Sequence, residues 1–335
     1  MARPAGAVAV PSRRTPRTPG PGVDVPTAGA LLVLAALVGV AVLAGVLASY
    51  APREVAGPPL ATPGPRLPLG TDELGRDLWS LWIYGTRTSL LLGASVGLLS
   101  TAAAAAAGIA SAGTHVFARI VSAFTELVAA IPVFLLLVLT MALTGPSLGA
   151  LVLALSTCGW AVFARVVRVQ TRVELQRDFV AASQALGATP VWVLRRHVLP
   201  QLAPLLWTKF LLTVRWAVVV EATLGIVGLS DPVRPSWGSV LGSAFSYPLL
   251  FAGDVWLRWA GPPALSVALL TWSCTAVGEL AAGTGGRRNG DARGSAALTG
   301  SWGAVRELAL GPSRRGIPEG SVEKKSAGWA AHGRV

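Results

Sequence analysis

Arg177-Asp178-Phe179-Val180-Ala181-Ala182-Ser183-Gln184-Ala185-Leu186-Gly187, followed by His197-Val198-Leu199-Pro200, is a charged, helix-forming stretch between two apolar spans. Each of those spans is long enough to cross a bilayer, for which about 20 apolar residues suffice. Leu175, Phe179, Ala182 and Leu186 recur at i, i+4, i+7 and i+11, an apolar stripe on one helical face. Gly187 is placed to end that helix in a left-handed cap. Thr189 can then cap a second helix, with Pro190 at its first position. Val191, Leu194 and Val198 give the second helix an apolar face that leaves Arg195 and Arg196 outside it. Pro200 is expected to stop it. Two capped helices joined at a glycine make a docking surface; a connector lying on the membrane surface is the plainer alternative.

Outward from that stretch, composition sets the class. The 335 residues are 53% hydrophobic and 13% charged, against about 25% charged in soluble domains. That is the composition of a membrane protein. The net charge of +12 comes mostly from arginines beside apolar runs, which points to membrane topology and away from nucleic acid. Cys158 and Cys274 lie inside apolar spans and read as small buried hydrophobes, not as a metal site or a disulfide.

Six apolar spans are visible, at about 27–50, 88–112, 117–143, 147–164, 203–228 and 260–281. The first is uncharged and longer than the apolar region of a secretory signal, about 7–15 residues, so it reads as a permanent membrane helix. Arg3, Arg13, Arg14 and Arg17 precede it. Arg165, Arg168, Arg172, Arg177, Arg195 and Arg196 fill the connection after the fourth span, and Arg287 and Arg288 follow the sixth. Six crossings place these regions on one side, and the excess of positive charge makes that side the cytoplasm. The expected fold is therefore an all-α membrane protein with six transmembrane helices in the lipid bilayer. Its parts are a cytoplasmic tail (1–26), a first helix (27–50), an extracytoplasmic segment (51–87), and a five-helix core (88–282) with a cytoplasmic loop at 165–202. The Gly-, Ala-, Ser- and Arg-rich remainder, 283–335, reads as a disordered cytoplasmic tail.

Some chemistry is excluded. No G-x-x-x-x-G-K-[ST] occurs, and Lys209, Lys324 and Lys325 lie outside any glycine loop, so no phosphate cradle is expected. With His115, His197 and His332 scattered and no nucleophile elbow or HExxH, neither an enzyme nor a cofactor-binding chain is expected. Three ionisable residues inside the spans are candidates for a pathway: Glu126, Arg215 and Glu221. A charge such as Arg215 at mid-span costs about 2.5–3.5 kcal/mol on insertion scales and must find a partner or water. Either it lines a translocation path and meets an anionic group, or it pairs with an acid on another helix or another subunit. Glu221 lies six residues on, so the two are not a simple i,i+4 pair. Pro132 is expected to kink the third span. After Asp77, Leu78, Leu81 and Trp82 share a helical face, as either a short interfacial helix or the entry turn of the second span.

The 177–200 stretch resembles the cytoplasmic loop of ABC-importer permeases, whose pattern is Glu-Ala-Ala, three further residues, Gly, and then Ile or Val-Leu-Pro further on. Here Ala182, Gly187 and Val198-Leu199-Pro200 match, while Ala181 stands at the Glu position and Ser183 at the second Ala. Three further motifs are similar to the dipeptide/oligopeptide/nickel branch of that family, in the subunit type with an extra N-terminal helix. They are Gly70-Thr71-Asp72-Glu73-Leu74-Gly75-Arg76-Asp77, Glu126 through Ile131-Pro132, and Glu221-Ala222-Thr223-Leu224-Gly225-Ile226-Val227-Gly228-Leu229 followed by Pro235-Ser236-Trp237-Gly238. The resemblance implies a type I ABC-importer permease fold in the cytoplasmic membrane. It implies two ATP-binding subunits that hold ATP and Mg, a second homologous permease, and an extracytoplasmic solute-binding protein. In such a loop, Asp178, Ala181, Ala182, Ser183, Gly187, Pro190, Arg195 and Pro200 would couple the chain to ATP hydrolysis, with Asp178 the acid nearest the missing Glu. The branch implies peptide import, with nickel or another small solute as the alternative. A secondary transporter or a membrane scaffold is the alternative of another class.

Overall fold

The computed structural model of the protein describes residues 25–113 and 115–288. Arg3, Arg13, Arg14, Arg17, Lys324, Lys325, His332 and most of both expected tails lie outside the described residues. The described residues up to Ala282 form one compact unit.

The helices are α1 Val25–Val42, α2 Ala44–Leu47, α3 Leu78–Ala110, α4 Val116–Ala129, α5 Val133–Thr144, α6 Leu148–Gly159 and α7 Ala161–Leu175. They continue with α8 Asp178–Ala185, α9 Pro190–Val193, a π turn Leu194–Val198, α10 Leu199–Ile226, α11 Trp237–Ser246, α12 Val255–Trp259 and α13 Gly261–Arg288. Among the described residues the β-type pairings are three isolated bridges, all within residues 55–77.

All six expected spans are helical, but only some are uninterrupted. Among the described residues three helices are long and apolar enough to cross a membrane: α3, the run Pro190–Ile226, and the Gly261–Ala281 part of α13. The pair α6 and α7 makes a fourth, bent by 42° at its break. The first and third stretches carry shorter apolar helices, Thr27–Val42 and Leu135–Thr144. In the third, Pro132 does more than kink the chain. It lacks an N–H and drives the preceding residue out of helical geometry, so α4 ends and α5 starts anew with Pro132 as its N-cap.

The second span starts at Leu78, not near 88, because Asp77 caps it. The carboxylate accepts from the Trp79 N–H at 3.3 Å, the Ser80 N–H at 3.0 Å and the Ser80 hydroxyl at 2.6 Å. The aromatic segment from Leu78 to Tyr84 is thus the entry turn of α3. At 1.5 Å per residue α3 is about 50 Å long, well beyond a hydrocarbon core of about 30 Å.

Helices α3 and α10 form the centre of the bundle. They meet where Gly93 and Gly97 remove side chains from α3. A Cβ at either glycine would lie 2.9 Å from Val218 or Val214 of α10, so the close approach depends on the small-xxx-small spacing. Leu37 of α1 and Leu270 and Val277 of α13 pack on one side of this pair. Leu137 and Met141 of α5 and Leu151 and Leu155 of α6 pack on another. Over the N-terminal half of α3 lie Val240 and Leu241 of α11 and Trp259 of α12.

Candidate functional site

The corner between α7 and α10 carries the loop that the sequence singles out. At the end of α8, Gly187 adopts φ +86°. Its N–H donates to Gln184 O at 3.0 Å, and the Ala188 N–H donates to Ser183 O at 3.0 Å, which is a Schellman cap. Thr189 Oγ1 accepts the Trp192 N–H at 3.3 Å, with Pro190 in the first turn of α9. Both local expectations therefore hold.

Pro200 does not stop the helix. The backbone runs on from Pro190 to Ile226, because a π turn at Leu194–Val198 widens the coil just ahead of the proline. The Leu199 N–H reaches back five residues to Leu194 O. Pro200 then sits in the opening turn of α10, where a missing N–H is tolerated.

The stripe predicted for α8 faces outward. Leu175 belongs to the end of α7, so the stripe bridges two helices. Leu186 is 90% exposed, and Phe179, Val191 and Trp192 are exposed too. What anchors the corner is Val180, buried with Val167 of α7, Val193, Val198 and Leu202. The His197 ring lies 4.9 Å from that of Phe179 and 5.3 Å from that of Trp192, joining α8, α9 and the π turn. Asp178, Ala181, Ala182, Pro190, Arg195, Arg196 and Pro200 are exposed, and Ser183 is half-buried. Asp178 lies in the first turn of α8, where an acid suits the helix dipole. One residue that sequence reasoning missed is Glu174, buried at the end of α7. Arg177 Nε approaches it at 2.8 Å and Gln170 Nε2 donates to it at 3.1 Å. The Arg-Val-Glu-Leu-Gln-Arg order around it was the available signal.

Helix α10 carries three charged residues six apart: Lys209, Arg215 and Glu221. Six residues turn a helix by about 240°, so the three point in directions about 120° apart. Each reaches a different neighbour. Lys209 Nζ donates to Gly159 O at 3.0 Å, at the end of α6. Arg215 donates to Thr275 Oγ1 of α13 at 2.8 Å and forms no ion pair among the described residues.

Glu221 is 2% exposed. It accepts from Ser89 of α3 at 3.2 Å, from Ser236 and from the backbone N–H of Gly238. Ser89 Oγ in turn accepts the Trp237 N–H at 3.0 Å, and Trp237 Nε1 donates to Thr86 at 3.1 Å. The carboxylate thus sits at the N-terminus of α11, whose Ser236 also forms a capping box with Ser239. Gly238 permits this approach, since a Cβ there would fall 2.6 Å from Glu221 O. The Glu221–Leu229 and Pro235–Gly238 motifs are therefore held together as two halves of one joint.

Glu126 faces a polar crevice of about 220 Å³ between the end of α3, α4 and α7. Arg119, Ser122 and Arg172 also line it. Arg168 Nη2 lies 3.6 Å from Glu126, and Arg168 also bonds Ser122. Arg172 Nε donates to Ala112 O at 3.1 Å, just past the C-terminus of α3. Glu126, Arg215 and Glu221 thus occupy three separate environments and do not converge.

On the other side of the span, Gly70–Asp77 folds back on itself. Buried Asp72 accepts from the N–H groups of Leu74 at 2.9 Å and Arg76 at 2.8 Å, and pairs with the Arg76 guanidinium at 2.6 Å. Thr71 Oγ1 donates to Pro58 O at 2.6 Å and accepts the Ala61 N–H at 2.8 Å. This motif holds the chain against the start of α3.

The family model described as binding-protein-dependent transport system inner membrane component matches residues 100–284. A protein of Brucella suis biovar 1 (strain 1330), provisionally named a peptide transport system permease, is 34% identical over 227 residues, covering 65% of this chain and 74% of its own. The di/tripeptide transport system permease protein DppC of Pseudomonas aeruginosa (strain UCBPP-PA14) is 34% identical over 229 residues, covering 65% and 75%. Among solved structures, an inward-facing form of the MetNI methionine ABC transporter superimposes with a TM-score of 0.48 at 22% identity, over 59% of this chain and 93% of that one.

Proposed function

The chain belongs to the family of binding-protein-dependent transport system inner membrane components, and from that premise we propose that it is the permease subunit of a peptide-importing ABC transporter. The proposal gives it no nucleotide site, metal or other cofactor of its own. Two partner subunits hold ATP and Mg and hydrolyse the nucleotide. A second, homologous permease completes the pathway, and an extracytoplasmic binding protein delivers the peptide. Both termini lie in the cytoplasm, on the side of the arginine-rich 165–202 loop.

The observation that carries this is the geometry of α8. A helix held from beneath by Val180 and fixed at its end by the Gly187 cap presents Phe179 and Leu186 outward, and α9 beyond the cap adds exposed Val191 and Trp192. Exposed apolar side chains rimmed by Asp178, Arg195 and Arg196 suit a groove on a rigid partner. When the ATP-binding subunits close together, a rigid α8 transmits their motion through α7 and α10 to the bundle. The Ala181 position contributes no charge, so docking rests on shape and on the apolar side chains. The peptide names of the relatives favour peptide over nickel as cargo.

Co-purification tests this. The chain should retain ATP-binding subunits through affinity chromatography, and Leu186→Asp should release them. Retention unchanged by Leu186→Asp would remove α8 from the interface.

A further inference from the structure

Lys209 is the one lysine among the described residues, and it lies within an apolar span. Its amino group donates to Gly159 O at 3.0 Å, and Gly159 is the last residue of α6. The same amino group stands 5.0 Å from the centroid of the Phe163 ring, on the first turn of α7. Lys209 thus touches both limbs of the span that is bent by 42° between Gly159 and Ala161.

A helix break exposes carbonyls that have lost their intrahelical donors, and within a bilayer they need other partners. Here side chains from the two central helices supply them. Ser100 of α3 donates to Ser156 O at 3.3 Å, and Lys209 of α10 donates to Gly159 O. Gly159 also allows the limb to press on α3, since a Cβ there would lie 2.9 Å from Ser100 Oγ. The arrangement is specific to a long cationic side chain: one end must reach a carbonyl, and the same charge must face an aromatic ring.

We propose that Lys209 is a positioning residue that clasps the α6–α7 break and so sets the angle at which α7 holds the docking helix α8. The coupling half of this proposal rests on the permease function above; the clasp half does not. Below the break, α7 leads through Leu175 to α8, and its Val167 packs on Val180. A fixed angle makes movement of α8 tilt the whole bent span. A loosened break lets α8 move while α6 stays still.

Two readouts separate the halves. The first is hydrogen–deuterium exchange of the 156–166 segment in the purified complex, which needs no transport. Lys209→Met should raise exchange there on the order of tenfold, as expected for loss of one charge-assisted hydrogen bond. Lys209→Arg, which keeps a cationic donor, should stay near the parent. Unchanged exchange in Lys209→Met overturns the clasp. If Lys209→Met does not assemble, Lys209→Gln is the second variant, with a neutral, shorter donor and an intermediate rise expected. The second readout is peptide uptake per ATP hydrolysed in proteoliposomes. Lys209→Met should lower this ratio several-fold, and Lys209→Arg should restore most of it. Raised exchange with an unchanged ratio overturns the coupling half. A parent complex that hydrolyses no ATP during uptake overturns the permease function itself and leaves the exchange result standing.

Discussion

Replacing Glu221 with alanine separates a clamp from a pathway residue. The deletion leaves the hydroxyls of Ser89 and Ser236 and the N–H of Gly238 without their shared acceptor. Each buried group left unpaired costs about 1–3 kcal/mol, though such costs do not simply add. Taking one member from a buried charged network costs about 3–5 kcal/mol. At roughly 1–2 °C per kcal/mol for a chain of more than 300 residues, the melting temperature should fall by roughly 3–10 °C. Glu221→Gln keeps the volume and one acceptor oxygen, and both serines can rotate their hydroxyls, so it should cost only about 1 kcal/mol. The assay is thermal unfolding of the purified complex beside peptide uptake in proteoliposomes. The clamp predicts that stability and uptake fall together in Glu221→Ala and that both nearly recover in Glu221→Gln. An alanine variant that melts with the parent yet transports nothing would refute it and return Glu221 to the pathway.

Other perturbations follow from the same geometry. Gly187→Val meets no steric obstacle, since nothing lies within 4 Å of a Cβ there, but it must hold φ +86° at a cost of about 1–2 kcal/mol or more for a branched residue. ATP-driven uptake should drop about tenfold, while Gly187→Asn, which tolerates that region, should keep most of it. Arg215→Met loses one hydrogen bond to Thr275. Under a structural role, uptake and peptide preference stay close to the parent, and a changed preference would place Arg215 on the path. Asp72→Ala removes the acceptor of two backbone N–H groups and the partner of Arg76, at about 3–5 kcal/mol. Proteolysis of the 51–77 segment in right-side-out vesicles should accelerate sharply, and an unchanged rate would mean that the turn is held by other contacts.

What was legible in the sequence was local or periodic. The Gly187 cap and the Thr189–Pro190 start depend on neighbours in the chain and appeared where spacing put them. The six apolar stretches are likewise all helical. The rest depended on distant residues. Pro200 looked like a stop because the π turn that absorbs it is packed in place by Val193, Val198 and Leu202 against α7 and α8. The extra length of α3 was visible only as Asp77 followed by an apolar run. Glu221 and Ser89 are far apart in the chain, and no local pattern joins them. Lys209 did carry a signal, as a lysine inside an apolar span, but its meaning required the break at Gly159.

The central claim is that this chain is driven through α8 by subunits that hydrolyse ATP. Its most direct measurement is uptake of a labelled peptide into proteoliposomes that contain the chain, its partner permease and the binding protein, with and without the ATP-binding subunits. The account predicts uptake only when those subunits and ATP are present, and its loss with Leu186→Asp. Peptide accumulation in their absence would contradict it.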